Sequence, residues 1–110
     1  MTQFADNARA ATRALRDLFP ETPLQRNDHL SARYGAEIWL KREDLTPVRS
    51  YKLRGAFTAL RKVRAANPGQ RSFVCASAGN HAQGVAYACR QFGGEGPTSI
   101  SRPRPPRNVR

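Results

Sequence analysis

An apolar series at Leu53, Ala56, Phe57, Leu60 and Val63 limits most tightly what this chain can fold into. Its steps of three, one, three and three place these residues on one face of a helix. Ser50 ahead of the series is a good N-cap, and Asn67-Pro68-Gly69 stops the helix near Ala66. The helix therefore needs a cover for that face, and it holds Lys52 in its first turn. Lys52 is one of three lysines, against sixteen arginines. A cation at a helix N-terminus faces partial positive charge, which disfavours protonation, and a free amine can attack a carbonyl. Taken alone, a lysine in a first turn reads more simply as a solvated side chain.

A second motif lies about one crossover further on. The apolar run Phe73-Val74-Cys75-Ala76 predicts a strand over residues 72–76. Ser77-Ala78-Gly79-Asn80-His81-Ala82-Gln83-Gly84 follows as a small-residue turn that opens a helix. This helix runs to about Phe92, has Val85, Ala88 and Cys89 on its inner side, and ends at Gly93-Gly94. Such a turn presents backbone N–H groups to an anion. On its residue type alone, Asn80 reads as an ordinary N-cap.

Ahead of the lysine, residues 2–19 predict a helix capped by Asp6 or Asn7. Its stripe is Ala8, Ala11, Leu15 and Leu18, and Pro20 ends it. Thr22-Pro23-Leu24 is an extended entry, and residues 24–34 predict a short helix closed by Gly35. His29 falls there on a polar segment without a Cys or His spaced for a metal, so it is assigned to the surface and no metal site is expected. Residues 36–42 predict a strand, with Ile38 and Leu40 on one face and Trp39 on the other. Glu43 and Asp44 open a loop, as a solvated turn or as part of a site. Two strands joined through the lysine helix favour a parallel pair. The class is α/β, a partial open sheet with flanking helices.

Composition bounds the partners. The net charge of +11 invites a nucleic-acid reading. The arginines, however, are spread along the chain without aromatic interleaving, so no nucleic-acid partner is expected. A non-enzymatic basic protein that binds through its Arg/Pro tail is the alternative. No apolar run reaches 18 residues, so no membrane partner is expected. The opening residues lack a basic, then apolar, secretory pattern. Cys75 and Cys89 lack metal-type spacing and read as reduced, buried thiols of a cytoplasmic protein. After Gly93 the composition breaks. Residues 94–110 hold four prolines, four arginines and only Ile100 and Val109 as aliphatics. They predict a basic, disordered tail without strand or helix, set against a folded portion at residues 1–93. The expectation is an out-of-frame end on a truncated chain.

The Lys52 and Asn80 blocks, with Thr22-Pro23-Leu24 and Ile38-Trp39-Leu40-Lys41-Arg42-Glu43-Asp44, occur in an order that resembles the fold-type II pyridoxal-phosphate enzymes. Within these they are most similar to the threonine dehydratases (threonine ammonia-lyases). The resemblance covers residues 21–93, roughly two-thirds of the chain. It implies the N-terminal part of a tryptophan synthase beta-like fold and pyridoxal 5′-phosphate as cofactor. It also implies a small amino-acid substrate and an oligomer in the intact family. The implied activity converts L-threonine to 2-oxobutanoate and ammonia, in isoleucine biosynthesis or threonine catabolism. A related enzyme such as serine racemase is the neighbouring reading.

The resemblance also implies residue roles. Lys52 would carry the cofactor and take the Cα proton. Asn80 would hydrogen-bond the cofactor's 3′ oxygen, with Tyr51 beside it, where phenylalanine is commoner. Ser77, Ala78, Gly79 and His81 would hold the substrate carboxylate through backbone N–H groups. The family's glycine-rich phosphate loop has no counterpart in this sequence. The chain by itself is therefore expected to bind the cofactor weakly and to turn over little.

Overall fold

The computed structural model describes residues 2–94 and the backbone of residues 98–99. The first helix, α1, is Gln3–Arg16. Thr2 stands at its N-cap in extended conformation, so Asp6 and Asn7 lie inside the helix rather than capping it. Asp6 still sits in the first turn, where its charge suits the helix dipole, and it pairs with Arg9 at 3.3 Å.

The expected helix over residues 24–34 splits in two. Strand β1 is Leu24–Arg26 and helix α2 is Asp28–Tyr34. Asn27 sets the break, because its side chain accepts a bond from the Leu30 N–H at 2.8 Å and caps α2 there. Pro23 biases the residues around it toward extended backbone. Gly35 closes α2 in the left-handed region at φ 61°, as its position after the polar helix predicts. Strand β2, Trp39–Lys41, pairs antiparallel with β1 in the register Leu24 with Lys41, Gln25 with Leu40 and Arg26 with Trp39. Backbone bonds from Asn27 N–H to the Ile38 carbonyl and from Arg42 N–H to the Pro23 carbonyl, each 2.9 Å, extend the pairing.

After a 3-10 turn at Glu43–Leu45 comes α3, Lys52–Ala66. Strand β3 is Val74–Cys75 and helix α4 is Asn80–Gln91. A two-residue strand β4, Thr98–Ser99, pairs in parallel with β3. The expected parallel pairing of the strand before α3 with the strand after it does not form. The residues around Trp39 are committed to β1, and the parallel unit is instead β3-α4-β4, one crossover later. The prediction that residues 94–110 contain no strand is corrected at Thr98 and Ser99. Otherwise that expectation lies outside the described residues. The α/β class stands, as short strand pairs flanked by helices.

The core lies between α3 and α4. Leu53, Ala56, Phe57 and Leu60 of α3 meet Val85, Ala88 and Cys89 of α4, all buried. Leu53, Ala88 and Cys89 have no exposed surface at all. Val63, last in the apolar series, is 40% exposed, so the buried face ends one turn before the helix does. Phe57 stacks on Phe92 with ring centroids 5.1 Å apart. Leu15 of α1 and Phe19 just after it close one side, and Cys75 closes another. By contrast, every residue of β1 and β2 is exposed, Trp39 and Leu24 among them.

Because this core is lean, single truncations in it weigh heavily. Leu53→Ala is expected to cost about 2–5 kcal/mol in urea unfolding followed by circular dichroism. Val63→Ala on the same helix is expected to cost less than about 1 kcal/mol. Equal losses at the two positions would contradict this placement of the core.

Candidate functional site

The loop that delivers the lysine is held from inside by one hydroxyl. Thr46, 2% exposed, donates its Oγ1 proton to the Ser50 carbonyl and accepts from the Ser50 N–H, both at 2.9 Å. This clasp closes residues 46–50 into a tight turn, with the Arg49 N–H bonded to the Thr46 carbonyl at 2.9 Å. Arg49 takes φ 57°, the one non-glycine positive φ among the described residues. A left-handed backbone costs an L-residue roughly 1–2 kcal/mol, so the turn persists because its bonds over-determine it. Tyr51, rather than Ser50, occupies the N-cap position of α3. Ser50 nonetheless satisfies the first helical donor, its Oγ accepting from the Lys52 N–H at 3.2 Å.

A second, electrostatic tie runs beneath this turn. Arg54 Nε and Nη2 donate to the two Glu43 carboxylate oxygens at 2.7 and 2.8 Å. The Thr22 hydroxyl donates to Glu43 Oε1 at 2.6 Å and accepts from Arg54 at 3.2 Å. Lys41 donates to the Thr22 carbonyl, and the Arg54 guanidinium lies over the Phe19 ring at 5.2 Å. A forked guanidinium on a carboxylate is geometrically specific as well as strong. The network joins the segment after α1, the loop after β2 and the first turn of α3. The Arg54 hydrogen bonds hold Glu43 below the ordinary carboxylate range, against the opposing effect of burial. The same bonds push Arg54 up. The acidic pair thus divides. Glu43 is half-buried in this tie, whereas Asp44 is solvent-facing and pairs with Arg42 at 2.7 Å.

Above these ties, Lys52 and His81 line one pocket of about 360 Å³, together with Tyr51, Arg54, Gly55 and Ala56. The Lys52 amine lies over the Tyr51 ring, 4.9 Å from its centroid. The pocket therefore offers one amine, one imidazole and one aromatic face. Asn80 opens α4 immediately before His81, and Gly79 is the N-cap, without a side-chain cap bond. The reading of Asn80 as the N-cap does not hold. The Gly79 N–H donates to Ser77 Oγ at 3.2 Å, which shapes the turn ahead of α4. Ser77, Ala78, Gly79 and Asn80 adjoin the pocket in sequence without lining it. The cysteines lie away from it. Both are free and buried, and burial, with Cys75 nearby, pushes the Cys89 thiol up, which makes it a poor nucleophile. Among the described residues no His/Cys/Asp/Glu group could hold a metal, and no helix is long and apolar enough to cross a membrane.

Sequence reasoning missed three contributors. Arg54 escapes it beside Lys52, although a cation two residues after the lysine with an acid in the preceding loop is a usable signal. Thr46 gives none, since only the closed turn shows what its hydroxyl binds. Gly84 appears in the sequence only as the end of a motif. In the structure a Cβ built there would lie 3.2 Å from the Lys52 carbonyl carbon, the Lys52 oxygen and the Leu53 nitrogen.

Lys52 and His81, at the starts of two packed helices, thus share one pocket on an α/β scaffold. The family described as pyridoxal-phosphate dependent enzyme matches residues 15–109. This chain belongs to that family, whose cofactor is pyridoxal phosphate. It is 53% identical over 79 residues to L-threonine dehydratase biosynthetic IlvA of Bacillus subtilis, covering 72% of this chain and 18% of that protein. It is 54% identical over 92 residues to the protein of the same name from Mycobacterium tuberculosis, covering 84% of this chain and 21% of the relative. The chain thus spans about one-fifth of the length of these curated relatives. Among solved structures, a threonine deaminase from T.th. superposes with TM-score 0.69 at 32% identity, over 86% of this chain and 32% of the other. The processed form of threonine deaminase isoform 2 from Solanum lycopersicum gives TM-score 0.62 at 36% identity, over 78% of this chain and 23% of the other.

Two outcomes test the ties beneath the pocket. Glu43→Gln is expected to cost about 1–3 kcal/mol at neutral pH, because it leaves Arg54 without its charge partner. Since the Glu43 pKa is depressed on folding, its contribution is present above the unfolded value of about 4.3 and is lost as pH falls through the lower folded value. Unfolding free energies of the two proteins should therefore converge below about pH 4, and a gap unchanged by pH would refute the assignment. Thr46→Val is expected to cost about 2 kcal/mol by denaturant melting, while Thr46→Ser keeps most of the stability.

Proposed function

We propose that this chain supplies the cofactor-attachment side of a pyridoxal-phosphate-dependent threonine dehydratase, acting in biosynthesis. The net reaction is L-threonine to 2-oxobutanoate and ammonia. The observation that carries the proposal is the single pocket in which Lys52, Tyr51 and His81 meet. The donor set suits the cofactor's aldehyde end: an amine to bond it and an aromatic face beside it. When bound, the cofactor supplies the electron withdrawal that makes the substrate Cα–H acidic.

The protein's share is binding, orientation and proton movement. Lys52 would hold the cofactor by its aldehyde end, and its Nζ would accept the proton from the substrate Cα. Asn80, at the start of α4, would donate its amide to the cofactor's 3′ oxygen. Backbone N–H groups at Ser77, Ala78 and His81 would hold the substrate carboxylate at the start of α4, and that of Gly79 would join them by leaving Ser77 Oγ. Tyr51 limits the pocket on the solvent side, where it is 59% exposed. The Thr46 clasp and the Arg54–Glu43 tie keep the lysine's turn from drifting, and small misplacements of reacting groups are costly. The two free, buried thiols support a reducing compartment such as the cytoplasm.

The test uses the chain's three lysines against one another. The protein is incubated with pyridoxal phosphate, reduced with borohydride, and mapped by mass spectrometry. Label is expected on Lys52 in preference to Lys41 and Lys62, and Lys52→Arg should remove that preference. Even labelling of all three lysines would reject the assignment.

A further inference from the structure

Gly84 lies in the middle of α4, is buried, and faces the backbone of the residue that carries the amine. Glycine inside a helix is less favourable than alanine by roughly 1 kcal/mol, so local propensity argues against it here. Its surroundings supply the reason. Three backbone atoms of Lys52 and Leu53 stand 3.2 Å from where a Cβ would be, tighter than ordinary van der Waals contact. No flexible side chain is available to swing away. Gly55 and Gly79, by contrast, have nothing within 4 Å of a built Cβ.

We infer that Gly84 is a positioning residue for Lys52, setting the height of the amine against the start of α4. The inference rests on the reading above, in which Lys52 carries the cofactor. Residues three and four apart share a helix face, so His81 and Asn80 sit one turn above the contact. The crossing at Gly84 therefore links Lys52 to both. Neighbours on either side are locked: Leu53 and Ala88 are fully buried and Val85 is 4% exposed, so α4 cannot roll to make room. A methyl group at position 84 must lift the first turn of α3 by a few tenths of an ångström. That displacement falls at Lys52, and it moves the amine relative to Asn80 and His81.

The experiment reads the lysines with and without cofactor. Each lysine is reductively methylated with carbon-13 formaldehyde, and its methyl resonance is followed by NMR in the full chain. Gly84→Ala is expected to shift the Lys52 resonance and leave Lys41 and Lys62 in place. Leu60→Ala, which weakens the same helix pair away from the contact, should shift none of them. In the pyridoxal phosphate and borohydride assay, labelling at Lys52 should fall roughly tenfold in Gly84→Ala. If Gly84→Ala does not fold, the double variant with Val85→Ala opens room beside the contact and gives the same readout.

An unmoved Lys52 resonance, or one moved equally by Leu60→Ala, would overturn the positioning role alone. A wild-type chain labelled evenly on its three lysines, with the Lys52 resonance still shifted by Gly84→Ala, would instead reject the cofactor reading.

Discussion

The close packing of α3 on α4 is the constraint on which the other features depend. It buries the only substantial apolar face among the described residues, from Leu53 and Leu60 on one helix to Val85 and Cys89 on the other. It also brings two helix N-termini to the same side, one bearing Lys52 and the other Asn80 and His81. A pocket between helix ends is a consequence of that packing, and Gly84 is what lets the backbones come so near. Stability and the candidate chemistry therefore draw on one helix pair, and a change at the Gly84 crossing is the one that would displace the amine.

Around this pair the chain uses polar groups to hold the lysine's approach loop. Two devices act in parallel. The buried Thr46 hydroxyl satisfies both backbone groups of Ser50, and the Arg54 fork ties Glu43 and Thr22 to the first turn of α3. Loop residues that must present a reactive group have few apolar contacts of their own, so hydrogen bonds to a rigid helix do the positioning. The cost is a strained Arg49 and a half-buried ion pair. Neither would persist in an isolated peptide.

Outside this unit the structure is more open. The β1–β2 pair exposes Leu24, Trp39 and Leu40, and β3 exposes Val74. The chain corresponds to about one-fifth of its curated relatives, which have far more sequence with which to cover such strands. The likeness to threonine deaminase structures nonetheless extends over most of this chain, so the local path of the backbone is preserved in the described region.

The sequence by itself determined α3 and α4, their inner faces and the two motifs, whereas of the stripe expected on α1 only Leu15 is buried. Periodicity placed Leu53, Ala56, Phe57 and Leu60 on one side and Val85, Ala88 and Cys89 on another, and all are buried, because amphipathic spacing is a local property of the chain. Gly35 likewise announced the end of α2. Strand pairing was not legible. Leu24–Arg26 reads equally as the start of a helix until the Asn27 side chain caps α2, and Trp39–Lys41 pairs with it rather than with β3. Nor was the site's framework legible: Thr46, Arg54 and Gly84 act through partners 4, 11 and 31–32 positions away. Only tertiary structure decides such contacts, since a hydroxyl, a guanidinium or a missing Cβ gains its meaning from what the fold brings against it.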